Sequence, residues 1–172
     1  MDIAILQFVQ NYFHNGFTDF IFPIITTLGN AGTVWIVIGV CLVVSKKYRK
    51  YGVLLFIALA LTYSLGDLII KPVVARPRPF LEFPGQVLLI SPPNGYSFPS
   101  GHAGSSFAAC VVLWRANKAF GIAAFVLAVL IAFSRVFLFV HFPSDVTVGA
   151  ILGVCCALLT CFIFQKLENL RN

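Results

Sequence analysis

Between Ser134 and Asp145 the chain reads SRVFLFVHFPSD, placing an arginine, a histidine and an aspartate inside otherwise apolar sequence. Charges in such a setting need a partner or a purpose. Arg135 cannot deprotonate and offers a planar fork that matches an oxyanion; His141 can act as nucleophile or base, and Asp145 can hold its ring. Phe142 precedes Pro143 and is biased out of the helical region, so a helix is expected to end at about His141. On one continuous helix Arg135 and His141, six residues apart, would point about 240° from each other and share no face. The break at Phe142–Pro143 lets the chain fold His141 back toward Arg135. Asp145 then falls in the first turn of the next helix, favoured there by the helix dipole, with Ser144 as the expected N-cap. The same residues would also serve a plain Arg–Asp ion pair tying two helix ends together.

The surroundings of this stretch set the fold class. The 172 residues are 59% hydrophobic and 10% charged, with 18 phenylalanines. A globule of that size cannot hide so much apolar surface from water, so the expected solvent is lipid and the expected fold an all-α integral membrane bundle. Length points to a single domain, 1–172. The net charge of +6 comes without a dense basic stripe or an RNA-binding motif, and no nucleic-acid partner is expected. Five cysteines, Cys41, Cys110, Cys155, Cys156 and Cys161, all sit in apolar runs without CxxC spacing, which gives neither a disulfide framework nor a zinc site.

Residues 2–13 read as a short interfacial helix, within an interfacial segment 1–14, although a core-packed helix would look similar. The N-terminus lacks the basic leader and small-residue cleavage site of a signal peptide. Apolar segments follow at 16–29, 31–45, 51–71, 101–114, 119–140 and 144–165, six in all. The first carries Asp19 and Pro23 and is short for a ~30 Å hydrocarbon core. Asp19 is placed on the cytoplasmic half and expected to cap or pair locally, and His14 to be interfacial. Residues 72–100 hold most of the prolines and read as an extracytoplasmic loop, with an apolar patch at Val87–Ile90 that can touch the bilayer surface.

Eight of the twelve basic residues, Lys46, Lys47, Arg49, Lys50, Arg115, Lys118, Lys166 and Arg171, cluster at one set of helix ends. By the positive-inside rule that side is cytoplasmic. Lys71, Arg76, Arg78 and Arg135 lie at or near the other side, with His102, His141 and Asp145 at the same level. Basic residues on the unexpected side suggest a site. In KPVVARPRPF (71–80) the prolines are expected to stop the helix and free Lys71 and Arg78 to converge, with Asp67 one turn before Lys71 to aim its ammonium. Snorkelling juxtamembrane charge would look alike. In SFPSGH (97–102) a helix N-terminus offers Ser100 and the backbone of Gly101 and His102 as a phosphate cradle. An ordinary Ser100 cap with His102 at the interface is the plainer account of that stretch.

Taken together, KPVVARPRP, PSGH and SRVFLFVHFPSD resemble the three signature motifs of the type 2 phosphatidic acid phosphatase superfamily, integral-membrane lipid phosphatases related to vanadium haloperoxidases. The likeness covers residues 71–145 and is nearest to small bacterial undecaprenyl-diphosphatases and phosphatidylglycerophosphatases. It implies a haloperoxidase-like phosphatase core in a multi-pass protein of the bacterial cytoplasmic (inner) membrane, with the site on the extracytoplasmic face. It further implies phosphate binding by Lys71, Arg78, Ser100, Gly101 and Arg135, with His141 as nucleophile, Asp145 orienting it and His102 as general acid. No metal and no cofactor are implied, and the expected partners are membrane lipids and a lipid (di)phosphate substrate. Undecaprenyl diphosphate is the first expectation, with phosphatidylglycerophosphate, phosphatidate and lipid A phosphates as alternatives. A non-catalytic lipid-phosphate binding or transport protein is the alternative of another class. Oligomeric state is not legible.

Overall fold

The computed structural model describes residues 1–171, and every regular element among them is helical. α1 (Asp2–Tyr12) lies across one end of the bundle and α2 (Gly16–Leu28) follows it. Asn15 starts α2 by accepting hydrogen bonds from the N–H groups of Phe17 and Thr18, while Thr18 reaches back to the Asn15 N–H, a reciprocal cap that satisfies orphan donors. A short 3-10 turn, Asn30–Gly32, connects α2 to α3 (Thr33–Val44). In that turn Ala31 and Gly32 both take left-handed backbone angles, φ 49° and 68°, a conformation that costs an alanine energy and that a surrounding structure must enforce.

α2 and α3 are bent by 48° at this turn and pass the length and hydropathy test of a membrane span only as a pair. Three further helices are long and apolar enough alone, so by length and composition the described residues hold three candidate spans, or four if the bent pair is one. The segments at 16–29 and 31–45 correspond to α2 and α3, which meet at this bend. The bend follows from Gly29–Asn30–Ala31–Gly32, where the chain leaves right-handed helix.

α4 (Arg49–Tyr63) runs on through a π-helical stretch, Ser64–Ile70, into α5 (Lys71–Val74). Here the proline expectation fails, because Pro72 does not stop the helix. It sits in the first turn of α5, after the wider π turn, where a missing N–H is tolerated, and the helix ends instead at left-handed Ala75. The 72–100 stretch also contains one helical turn, α6 (Pro79–Glu82). Its apolar patch is divided: Leu88 and Ile90 pack on the core while Val87 is exposed.

α7 (Gly101–Ala116), α8 (Lys118–Phe137) and α9 (Pro143–Arg171) complete the bundle. α7 and α9 approach until backbone meets backbone. A Cβ added at Gly153 would land on the Gly104 carbonyl and one at Gly149 on the Ser100 carbonyl, so these positions demand glycine, as small-residue seams between membrane helices do. Trp35 is fully buried at the middle of the main core and its Nε1–H donates to Ser106 Oγ at 3.0 Å, tying α3 to α7. A second core lies at the other end, where Leu6 and Val9 of α1 and Phe22 of α2 pack on Phe137, Val140 and Phe142. Large apolar side chains such as Val40, Ile122, Phe125, Ile151 and Phe162 face outward, as expected of a surface solvated by lipid.

Candidate active site

α8 stops at Phe137, four residues before the expected point, and the chain reverses through Leu138–Phe142. Phe139 takes φ 59°, and the N–H groups of Val140 and His141 both donate to the Arg135 carbonyl at 3.2 Å. These bonds fold His141 back over the helix end that carries Arg135, as the proline break predicts. Pro143 opens α9 at its first position, so Ser144 is not the N-cap. Asp145 takes over part of that role: its Oδ2 accepts from the Phe142 N–H at 2.8 Å. The Ser144 N–H, also an orphan of the helix start, donates to Asp2 Oδ1 at 3.0 Å.

A cavity of about 660 Å³ lies against this reversal. Lys71, Arg78, Gly101, His102, Arg135 and His141 all line it, so six of the eight expected site residues share one cavity. Ser100 and Asp145 stand behind its wall, 1% and 0% exposed. Ser100 caps α7 by accepting from the Ala103 N–H at 3.4 Å, and its own N–H donates to the Asp145 carbonyl at 3.0 Å. Lys71 is ion-paired with Asp67, the i to i+4 contact expected from sequence.

Arg78 fixes the state of His141. Its guanidinium donates to the carbonyls of Gly95, Asn94 and Val140, and its Nη1 lies 3.2 Å from His141 Nε2. Arginine only donates, so Nε2 must be the acceptor and the ring proton must sit on Nδ1. Nδ1 faces Asp145 Oδ2 at 3.5 Å, an ion-pair distance that is long for a hydrogen bond. Burial in the link between α8 and α9 lowers the His141 pKa from 6.5 to about 3, against the raising effect of Asp145. His141 is therefore a neutral imidazole whose Nε2 lone pair points to a cation at the cavity wall.

The other residues divide by how firmly they are held. Arg135, 3% exposed, donates from Nη1 to Thr26 Oγ1 at 2.5 Å while its buried Nε has no partner in the protein. His102 contacts Asn30 Oδ1 through Nε2 at 3.0 Å. His14 and Asp19 pair at 2.7 Å, and His14 stacks on Phe137 at 4.0 Å, at the same end of α8 as Arg135. Among the described residues no three or more His, Cys, Asp and Glu side chains gather into a metal-ligand set.

Sequence reasoning passes over Thr26, Asn30, Arg76 and Asp2. Arg76 carried a signal, being one of the four basic residues on the unexpected side; the other three have polar side chains without charge or, in Asp2, lie far from every motif. The arrangement defines a helical membrane protein with an anion-receptive cavity, three cations facing two histidines, and an apolar extension lined by Ile36, Phe56, Leu59 and Ala60.

The comparisons with known proteins agree with that class. The model of the PAP2 superfamily matches residues 47–168, and the chain belongs to that superfamily. It is 39% identical over 122 residues to an undecaprenyl-diphosphatase of Sulfolobus acidocaldarius, covering 70% of this chain and 58% of that protein. It is 32% identical over 173 residues to phosphatidylglycerophosphatase B of Bacillus subtilis, covering 92% of this chain and 75% of that protein. The chain spans 58% and 65% of the length of the first curated relatives it matches. Among solved structures, Aquifex aeolicus LpxE superposes with a TM-score of 0.83 at 27% identity, over 93% of this chain and 94% of that one.

Proposed function

We propose that the protein is a lipid phosphatase that transfers a phosphoryl group from a lipid (di)phosphate to His141 and then to water. The observation that carries this is the Arg78 Nη1 contact with His141 Nε2, which leaves a neutral nucleophilic nitrogen at the wall of a cationic cavity. Lys71, Arg78 and Arg135 would hold the phosphoryl oxygens, with the N-terminus of α7 at Gly101 beside them. An oxyanion would supply the acceptor that Arg135 Nε lacks. Fixed donors around a phosphate that redistributes charge in transfer give electrostatic stabilisation where water would have to reorganise.

In the first step Arg78 Nη1 turns from Nε2 to a phosphoryl oxygen, the freed Nε2 lone pair forms a bond to phosphorus and the bond to the leaving oxygen breaks. His102 donates its proton to that oxygen. In the second step water attacks the phosphohistidine, His102 takes its proton, and inorganic phosphate leaves with His141 restored. Asp145 keeps the ring proton on Nδ1. Ser100 contributes by setting the start of α7, since its hydroxyl is occupied as a cap.

Ile36, Phe56, Leu59 and Ala60 make the far part of the cavity apolar, which suits a substrate whose tail stays in the bilayer. Undecaprenyl diphosphate is the preferred substrate, supported by the name of the Sulfolobus relative. Other relatives carry the names phosphatidylglycerophosphatase B and lipid A 1-phosphatase, so these head groups are the ones to compete against it. The bias of basic residues toward one set of helix ends supports an extracytoplasmic site, here in a bacterial cytoplasmic membrane. Cysteine at Val87, 82% exposed, in a chain without native cysteines, should react with an impermeant reagent on intact cells; reaction only after permeabilisation would reverse the orientation. Activity is tested by phosphate release in detergent from the three lipids with chelator present. Release that ceases in His141→Ala is expected, and release that survives it would contradict the proposal.

A further inference from the structure

Asp145 has a further side-chain partner that no part of the phosphoryl-transfer scheme uses. Its Oδ1 accepts from Arg76 Nη1 at 2.6 Å, and the same Nη1 donates to Ser144 Oγ at 2.7 Å. Arg76 Nη2 donates to Asp2 Oδ2 at 2.9 Å, and Asp2 also receives the Ser144 N–H. The guanidinium lies 3.8 Å from the centre of the Phe142 ring, so it is packed on one face as well as bonded along its edge. Burial would raise the Asp2 pKa, but the hydrogen bonds from Ser144 and Arg76 outweigh it and the net shift is downward.

One guanidinium thus holds three oxygens from two distant segments and fixes the plane of a carboxylate that has no freedom to turn. That matters because the other oxygen of Asp145 is 3.5 Å from His141 Nδ1. A carboxylate free to rotate could leave the histidine altogether. Neither Arg76 nor Asp2 lines the cavity, and the side-chain route from Arg76 to His141 runs through Asp145. We propose that Arg76, aimed by Asp2 of α1, is a positioning residue for the reaction, fixing Asp145 and through it the tautomer and direction of His141. α1 is then part of the catalytic apparatus and not only a lid on the bundle end. This rests on the assignment of His141 and Asp145 given above.

The test is steady-state kinetics of the purified protein on a lipid diphosphate, with thermal stability measured in parallel. Arg76→Ala should lower kcat about 10- to 100-fold with KM within about twofold, the scale seen when a partner of a site residue is removed. Arg76→Lys should recover only part, because an ammonium cannot bridge three oxygens in one plane, and added guanidinium should restore activity to Arg76→Ala. Asp2→Asn should act in the same direction and less strongly. In an Asp145→Asn background Arg76→Ala should change kcat less than about twofold, since the two act along one line.

Full kcat in Arg76→Ala with a lowered melting temperature would make the cluster mere glue between α1 and α9 and overturn the inference. So would a rise in KM alone, or full additivity with Asp145→Asn. If Arg76→Ala does not fold, Arg76→Lys and Asp2→Asn carry the same test. Wild-type turnover in His141→Ala or Asp145→Asn would instead overturn the site assignment beneath it.

Discussion

The two histidines of the cavity are held in opposite ways. His141 is 2% exposed and fixed by Arg78 on one nitrogen, Asp145 near the other and two backbone bonds to Arg135 beneath it. His102 is partly open, and its side chain contacts Asn30, a residue on the bend between α2 and α3. The His141 side is over-determined and the His102 side adaptable. On the proposed roles, a nucleophile attacking phosphorus needs one fixed line of approach, whereas a proton donor must reach leaving groups of different shape, and this division of rigidity suits them.

The sharpest way to break that contrast is to remove each histidine. His141→Ala should lower turnover by at least ~10³-fold while substrate still binds, because no other group supplies the nucleophile. His102→Ala should cost ~10²–10⁴-fold on a phosphomonoester, the usual range for a general acid. On a diphosphate the His102→Ala loss should be smaller, since that leaving group needs its proton less. Equal losses on both substrates would show that His102 does something other than protonate the leaving oxygen.

Between these lies the cationic wall. Arg78→Lys should lower kcat/KM by ~10²-fold, comparable to losing one preorganised donor at a transition state. Lysine cannot reach the carbonyls of Gly95, Asn94 and Val140 and still face His141. At the small end, Asn30→Ala should cost about fivefold, the net worth of one hydrogen bond. A loss as large as that of Arg78→Lys would mean that the two sides are equally rigid.

The pH dependence sharpens the same point. His141 binds its proton more weakly folded than unfolded, from 6.5 down to about 3. Between those values the unfolded chain holds more protons, so stability rises with pH and the contribution is lost as pH falls below 6.5. Denaturation followed between pH 7 and pH 4 should show a steeper slope in the native protein than in His141→Gln.

Much of this site is legible in sequence because its chemistry is carried by charges inside apolar runs. Arg135, His141 and Asp145 stand out for that reason, and the bias of basic residues toward one set of helix ends isolates Lys71, Arg76 and Arg78. What sequence misreads is backbone. The π turn that admits Pro72, the left-handed Phe139 that ends α8 early and the bend at Ala31 leave no periodicity to detect. The partners that complete the site, Asn30, Thr26 and Asp2, are distant in sequence and reach it only through those backbone features.

The central claim is that His141 Nε2 bonds to phosphorus during turnover. It is tested most directly by mixing His102→Ala with a lipid diphosphate labelled in the transferred phosphate, quenching in alkali and locating the label by mass spectrometry. The account predicts an acid-labile phosphate on His141 that accumulates because its hydrolysis lacks a base. Product forming with no labelled protein, or label on any other residue, would contradict it.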